Sequence, residues 1–322
     1  MIETLDLGES ITLDRIPLQT HSCYRMSVEG QQDRVHVHAV VGARRHPCLA
    51  LLAGVHGDEY DGILALMQLL REVSSWPLEG SLIIVPVANP FAFAKAQRRT
   101  PEDDKDLNRV FPGSQQGTVS DRLAARLCTD VIRDADLIFT LHGSTSDGIL
   151  APWVEFLEGS GPLEQRTREA AEASGFTDLI SLPRLKGVLI SAAAGLEIPA
   201  IEGEVGGRGT TTPENVQFYM DRVRSVCSHT GILQASRQAK ESKGVFRIWR
   251  LQDHEAEVHG IFLRSVELGQ RIHKGEPMGT ILDISGAVSA EVRSPVDAVI
   301  GGYRIHAGVQ VGDRLVTLWC AT

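Results

Sequence analysis

With 322 residues, 43% hydrophobic and 23% charged, the chain has an ordinary globular composition and the length for one full domain plus a smaller one. A net charge of −9 argues against a general nucleic-acid or anionic-membrane binder, while leaving room for a local basic pocket. The opening MIETLDLGES lacks the basic and apolar segments of a signal peptide, and no uncharged apolar run is long enough to span a membrane. Cys23, Cys48, Cys128, Cys227 and Cys320 are scattered without C-x-x-C spacing, so the expected setting is reducing and cytoplasmic.

Short alternating runs fill residues 11–41 and end in RVHVHAVVG, where His36 and His38 would share one face of a strand. Such a pair suits either a metal or an ordinary edge strand. Residues 49–52 read as a buried strand. A turn holding Gly54 follows, then His56, Gly57, Asp58 and Glu59, then a helical rhythm over 61–73. This puts His56 and Glu59 at the carboxyl end of a strand, where open α/β sheets carry their sites. An imidazole and a carboxylate three residues apart can reach one metal ion. LIIVPV at 82–87 is the next buried strand, with Pro86 suggesting a strand terminus or an edge.

Residues 89–113, NPFAFAKAQRRTPEDDKDLNRVFPG, form a long irregular segment of the kind that is usually functional or disordered. Beside a metal, Arg98, Arg99, Asn108 and Arg109 would offer donors to carboxylate and carbonyl oxygens. A helix is expected over 119–133 and a strand over 137–141, with His142 directly after it in a repeat of the His56 geometry. Parallel neighbours would bring the two histidines together. Asp147 could orient a ligating histidine or cap a turn. An amphipathic helix is expected over 162–174, and a short strand over 198–201 ends near Glu202, Glu204, Gly206 and Gly207. Thr211 or Thr212, followed by Pro213, opens a further helix. From residue 244 onward helical rhythm gives way to short strands, with GQRIHKGEPMGTI matched by YRIHAGVQVGDRLVTL. This predicts a small all-β domain built from a quasi-repeat.

A catalytic zinc needs about three protein ligands and an open position, and His56, Glu59 and His142 supply a known His₂Glu set. A general base and a cation are then required. Glu204 is preferred as base over Glu202, on the expectation that Glu202 points to the opposite face of its strand.

The motifs GVHGDE at 54–59, NPFAF at 89–93, the run from Arg98 through DLNRVFPG, LHG at 141–143 and EVGG at 204–207 together resemble the succinylglutamate desuccinylase/aspartoacylase family. These are zinc-dependent hydrolases related to the zinc carboxypeptidases. The resemblance implies an α/β, zinc carboxypeptidase-like mixed sheet flanked by helices over residues 1–240. A small all-β, biotinyl/lipoyl-like domain over 241–322 would follow. It implies one Zn²⁺ per chain on His56, Glu59 and His142, Glu204 as base, and Asn108 and Arg109 holding a substrate carboxylate. Arg98, or the adjacent Arg99, would polarise the scissile carbonyl, and Arg98 is the better match. No lysine follows Lys274, so the tail is expected to be structural or gating instead of a swinging arm.

The implied reaction is hydrolysis of the amide of an N-acyl amino acid, with acetyl preferred on resemblance to the branch carrying the β tail. A desuccinylase or aspartoacylase would need further cations, such as Arg184 or Arg208. The alternatives are a metallocarboxypeptidase, a deacylase for another modified metabolite, or a silent zinc-binding module. The expected partner is a small acylated amino acid, and an exposed edge of the β domain could pair between subunits as a homo-oligomer.

Overall fold

The computed structural model describes residues 4–6, 11–28, 34–234 and 246–322. Most of the MIETLDLGES opening, and the domain boundary expected between residues 240 and 241, lie outside the described residues. In chain order the strands are β1 (Thr4–Asp6), β2 (Thr20–Ser27), β3 (Arg34–Val41), β4 (Cys48–Ala53), β5 (Ser81–Val85), β6 (Leu137–His142), β7 (Gly148–Leu157), β8 (Asp178–Leu182) and β9 (Ala200–Gly207). They continue as β10 (Arg247–Glu255), β11 (Gly260–Arg264), β12 (Arg271–Ile272), β13 (Pro277–Leu282), β14 (Val288–Arg293), β15 (Ala298–Arg304), β16 (Gly308–Val309) and β17 (Arg314–Ala321). The α-helices are α1 (Tyr60–Glu72), α2 (Pro90–Ala94), α3 (Val119–Arg126), α4 (Pro162–Ala173), α5 (Leu189–Gly195) and α6 (Pro213–His229).

The apolar runs form the centre of a mixed sheet ordered β1-β2-β3-β5-β4-β6-β9-β7-β8-β10-β17-β15-β12. Within it β5, β4, β6 and β9 are parallel neighbours. Every residue of β4, β5 and β6 is buried, as strands covered on both faces must be. Ile63 and Leu66 of α1, Ala170 of α4 and Met220 of α6 pack on one face. Leu123 of α3 and Leu189 and Ile190 of α5 pack on the other.

Several expectations shift. β5 lies between β3 and β4, so Pro86 marks the end of an interior strand and not an edge. The helix expected to reach residue 133 is α-helical only to Arg126 and widens into one π turn over Leu127–Val131. β9 begins at Ala200 and runs on through both glutamates to Gly207. Strands β7 and β8 and helix α5 were absent from the sequence reading. In β7, Pro152 interrupts the apolar pattern where the register with β9 shifts between Leu150 and Trp153, an irregularity that accommodates a missing N–H.

The C-terminal strands are joined to the main sheet. β7, β8, β10, β17 and β15 close into a five-stranded ring, with β15 pairing back onto β7. Leu150, Trp153, Ile180, Val299 and Trp319 cluster there. Trp319 meets Trp153 edge-on at 5.8 Å and stacks with Trp249 at 6.3 Å. Asp178 at the start of β8 accepts hydrogen bonds from Arg247 and from the Trp249 indole, each at 2.8 Å. A separate antiparallel sheet, β14-β13-β11-β16, completes the molecule. The quasi-repeat is visible as two short strands, β12 and β16, each leading through a turn into a longer one, β13 and β17. Among the described residues no helix is long and apolar enough to cross a membrane.

Candidate active site

The site is built where β4 and β6 end side by side. After Ala53, Gly54 adopts φ +64°, and a Cβ there would press on Val87 Cα at 3.0 Å. A Cβ on Gly57 would stand 2.0 Å from the Ala92 carbonyl carbon, so only glycine lets this turn pass against α2. Helix α2 is fixed in turn by Asn89, which caps it through the Ala92 amide and donates to Thr100. The turn delivers His56 and Glu59 inward. β6 ends on His142 itself, and the two imidazoles meet with centroids 5.2 Å apart.

The Glu59 carboxylate bridges these rings. Its Oε1 lies 2.7 Å from His56 Nδ1, its Oε2 lies 3.0 Å from His142 Nδ1, and it accepts the Gly143 amide. All three side chains are buried. Burial alone would push Glu59 up, but His56 and His142 hold it well below the usual carboxylate range. Asp106, a residue to which the sequence reading gave no role, approaches from the 89–113 segment. It caps the short 3₁₀ turn Leu107–Arg109, its Oδ1 lies 3.0 Å from His56 Nε2, and its Oδ2 accepts from Arg98 Nε at 2.9 Å. Against its burial, His56 and Arg98 hold it below the usual range.

Arg98 leans over the cluster, with Nη1 3.4 Å from His56 Nδ1 and 3.6 Å from Glu59 Oε1. Arg99 is exposed and donates to the Asp104 carbonyl. The geometry therefore brings Arg98, and not Arg99, to the cluster. Asn108 is buried: its Oδ1 accepts the Leu189 amide and its Nδ2 donates to Glu202, which leaves one N–H. Arg109 is more exposed and donates to the Asn108 carbonyl at 2.7 Å.

The expectation for Glu202 is corrected. Residues two apart on a strand share a face, so Glu202 and Glu204 both point toward His142, with Glu202 opposite Thr140 and Glu204 opposite His142 in the β6–β9 register. Glu202 accepts from Thr140 and Asn108 and lies 3.6 Å from His142 Nε2. Glu204 keeps a buried Oε2 without a partner. Burial and the charge of Glu59 raise the Glu204 carboxyl well above its ordinary range. Across β7, Glu155 faces Glu202 and binds the Trp153 indole at 3.0 Å, and burial together with Glu202 pushes it up to about 8. For His142, burial disfavours the charge, but Glu202, Glu59 and Glu204 outweigh it and push the imidazole up to about 10.

Two overlapping groups of ligand atoms can hold a metal ion here: His56, Glu59 and His142, or His142, Glu202 and Glu204. The first offers two imidazole nitrogens and a carboxylate, a donor set suited to zinc. It also has a carboxylate, Asp106, on the outer nitrogen of His56, the arrangement that orients ligating histidines. His142 Nε2 is buried without a hydrogen-bond partner. The first group fits a metal ion best.

Beside Arg98 opens a cleft lined by Ser144, Thr145, Asp147, Tyr303 and Arg304, with a wall from the C-terminal strands. Asp147 serves neither histidine. It accepts from Thr145 Oγ1 at 2.6 Å and from Arg304 at 2.6 Å.

Residues 45–230, more than half of the chain, match the family model for the Succinylglutamate desuccinylase/Aspartoacylase catalytic domain. The chain belongs to this family. Beyond the catalytic region of the desuccinylase/aspartoacylase family, similarity runs through most of the sequence. The chain is 28% identical over 289 residues to an N-alpha-acetyl-L-2,4-diaminobutyric acid deacetylase of Halomonas elongata, covering 87% of this chain and 84% of that protein. The product-bound ectoine utilization protein EutE (DoeB) of Ruegeria pomeroyi superposes with a TM-score of 0.85 at 22% identity, covering 95% of this chain and 98% of that one. A succinylglutamate desuccinylase/aspartoacylase of Rhodobacter sphaeroides gives 0.83 at 23% identity, with coverages of 97% and 98%. The fold is thus shared over nearly the whole chain with these solved structures.

Proposed function

We propose that the chain hydrolyses the amide bond of an N-acetyl amino acid, using one Zn²⁺ held by His56, Glu59 and His142. The observation that carries this reading is the partnerless buried oxygen of Glu204 beside the His–Glu–His cluster, with Arg98 leaning over the same cluster at the mouth of a cleft. The activity named for the Halomonas elongata relative supports it, since that protein removes an acetyl group from an amino acid.

The bound ion would polarise the amide carbonyl and lower the pKa of a water molecule. The rest falls to side chains. Glu204, whose burial favours holding a proton, takes one from the attacking water and returns it to the leaving amine. Arg98, anchored by Asp106, presents guanidinium N–H groups to the developing oxyanion. Arg109 and the remaining N–H of Asn108 hold the amino-acid carboxylate.

The acetyl preference rests on charge. The cations around the cleft already face carboxylates: Arg304 binds Asp147 at 2.6 Å and Asp313 at 3.3 Å, and Arg314 lies 4.0 Å from Asp253. Arg184 is paired with Glu164 at 2.7 Å. Bound at any of these arginines, a succinyl or aspartyl carboxylate would have to displace a partner, whereas an acetyl methyl group displaces none; Arg208, the other cation named for an acidic acyl group, is exposed.

The test is a screen of the zinc-loaded chain against N-acetyl amino acids, including Nα-acetyl-2,4-diaminobutyrate, beside N-succinyl amino acids, N-acetylaspartate and dipeptides. Faster turnover of an acetyl amino acid is expected. Preferred turnover of an acidic acyl group or of peptides would overturn the acetyl reading, and no turnover at one zinc per chain would overturn the hydrolase reading.

A further inference from the structure

Two buried carboxyl groups stand behind the cluster without a part in the proposed reaction, Glu202 and Glu155. The Glu59 carboxylate reaches both imidazoles through the same ring nitrogen, Nδ1 of His56 and Nδ1 of His142. Nδ1 is therefore the nitrogen each ring offers to an ion held by this trio, and Nε2 is its outer nitrogen. For His56 the outer nitrogen meets Asp106 at 3.0 Å. For His142 the facing carboxylate is Glu202, whose Oε2 lies 3.6 Å from Nε2, and that nitrogen is buried with no hydrogen-bond partner.

With Nδ1 on a metal, the remaining ring proton sits on Nε2, and ligating histidines almost always donate it to a carboxylate, a carbonyl or water. A buried N–H left unpaired is costly. The gap to Glu202 exceeds a hydrogen bond by only about half an ångström. Glu202 is held in place for this contact. It stands opposite Thr140 in the β6–β9 register, two residues before His142, and accepts from Thr140 Oγ1 and Asn108 Nδ2, each at 3.3 Å. Glu155, opposite Glu202 on β7, takes the Trp153 indole at 3.0 Å, and burial with the charge of Glu202 pushes it up to about 8. Glu155 thus holds a proton at neutral pH, and the charge facing His142 is that of Glu202.

Resting on the zinc reading above, we propose that Glu202 is the outer carboxylate of His142, a positioning residue that accepts the Nε2 proton as Asp106 accepts that of His56. Each ligating ring then has its own carboxylate, one from the 89–113 segment and one from β9. The His142–Glu202–Glu204 group is then no second ion seat, because the nitrogen it needs carries a proton.

The test measures zinc affinity of the full chain by competition with a chromophoric chelator, beside proton NMR of the imidazole N–H region in the zinc-loaded chain. Glu202→Gln should weaken zinc binding about 10- to 100-fold. Thr140→Val removes a hydroxyl donor but keeps the charge of Glu202, and Glu155→Gln imitates a carboxyl that is already protonated. Both should stay within a few-fold of wild type. Two slowly exchanging, downfield imidazole N–H resonances are expected, one displaced by Asp106→Asn and the other by Glu202→Gln. Wild-type zinc affinity in Glu202→Gln overturns the inference. An equal loss in Thr140→Val also overturns it, because the effect would then be purely structural. If Glu202→Gln does not fold, the wild type still decides. A lone downfield N–H resonance, or a second zinc bound at saturation, overturns the assignment. A wild type that binds no zinc at all would instead remove the ligand set itself, and this inference with it.

Discussion

Asp106 grips His56 on the ring nitrogen facing away from Glu59, Oδ1 to Nε2 at 3.0 Å, and its other oxygen holds Arg98 at 2.9 Å. One carboxylate thus orients both a proposed metal ligand and the proposed oxyanion donor. Asp106→Asn keeps the shape but removes the charge. Zinc affinity should fall about 10- to 100-fold, the range for outer-shell partners of ligating histidines. Competition with a chromophoric chelator measures it. Wild-type affinity in the variant would make Asp106 a turn cap and nothing more.

Glu204 differs from Glu202 in keeping a buried oxygen without a partner. Glu204→Gln should lower kcat by about 10²- to 10⁴-fold, the usual worth of a positioned acid–base group, with zinc content unchanged. Glu202→Gln should act differently, because Glu202 is already bound by Thr140 and Asn108. A smaller loss, accompanied by lower stability, is expected there. Steady-state rates at measured zinc occupancy separate the two.

Arg98→Ala should cost about 10²- to 10³-fold in kcat, the effect of deleting one oxyanion donor. Arg99→Ala should leave kcat within a few-fold, since Arg99 is exposed and its guanidinium donates to the Asp104 carbonyl. Equal losses in both variants would mean that the whole 89–113 segment moves when either arginine is removed.

The ring of β7, β8, β10, β17 and β15 makes the C-terminal strands part of the catalytic sheet. Trp319→Ala removes the indole against which Trp153 and Trp249 pack. It should destabilise by about 3–5 kcal/mol, read by chemical denaturation with activity and tryptophan fluorescence as probes. Both probes should lose signal together at a lower midpoint. Activity persisting after the fluorescence transition would mean that the two parts unfold separately.

The turns at His56 and His142 are legible because each follows a short, largely apolar run, five or six residues long and bounded by a glycine, the length and setting of a buried strand. The ring is not. β7 carries Pro152 and a register shift, and β8 is only five residues long, so neither shows a clean period of two. Glu155 was hidden with the strand that bears it. Asp106 had its place in DLNR as its only signal, and spacing cannot tell a turn cap from a group that also reaches His56. Glu202 departs from the expectation because residues i and i+2 of one strand share a face, which puts it beside Glu204.

Arg304 joins the loop after His142 to the C-terminal strands. Its guanidinium binds Asp147 at 2.6 Å and Asp313 at 3.3 Å, while the Ile305 amide donates to the Asp147 carbonyl. Ser144, Asp147 and Arg304 line the cleft together with Arg98, so this link shapes the proposed substrate cleft without touching the His56–Glu59–His142 cluster. Arg304→Ala leaves Asp147 and Asp313 facing each other without their shared cation. About 1.5–3 kcal/mol of stability should go with the charged hydrogen bonds. The loop from Gly143 to Gly148 should loosen, raising KM about tenfold, while kcat changes less because Glu204 is carried by β9 and Arg98 is held by Asp106. Arg304→Lys restores the charge but not the two-armed geometry, so it should recover part of the KM and little of the stability. Loss of kcat equal to the rise in KM would place Arg304 in transition-state binding and refute a role confined to shaping the cleft.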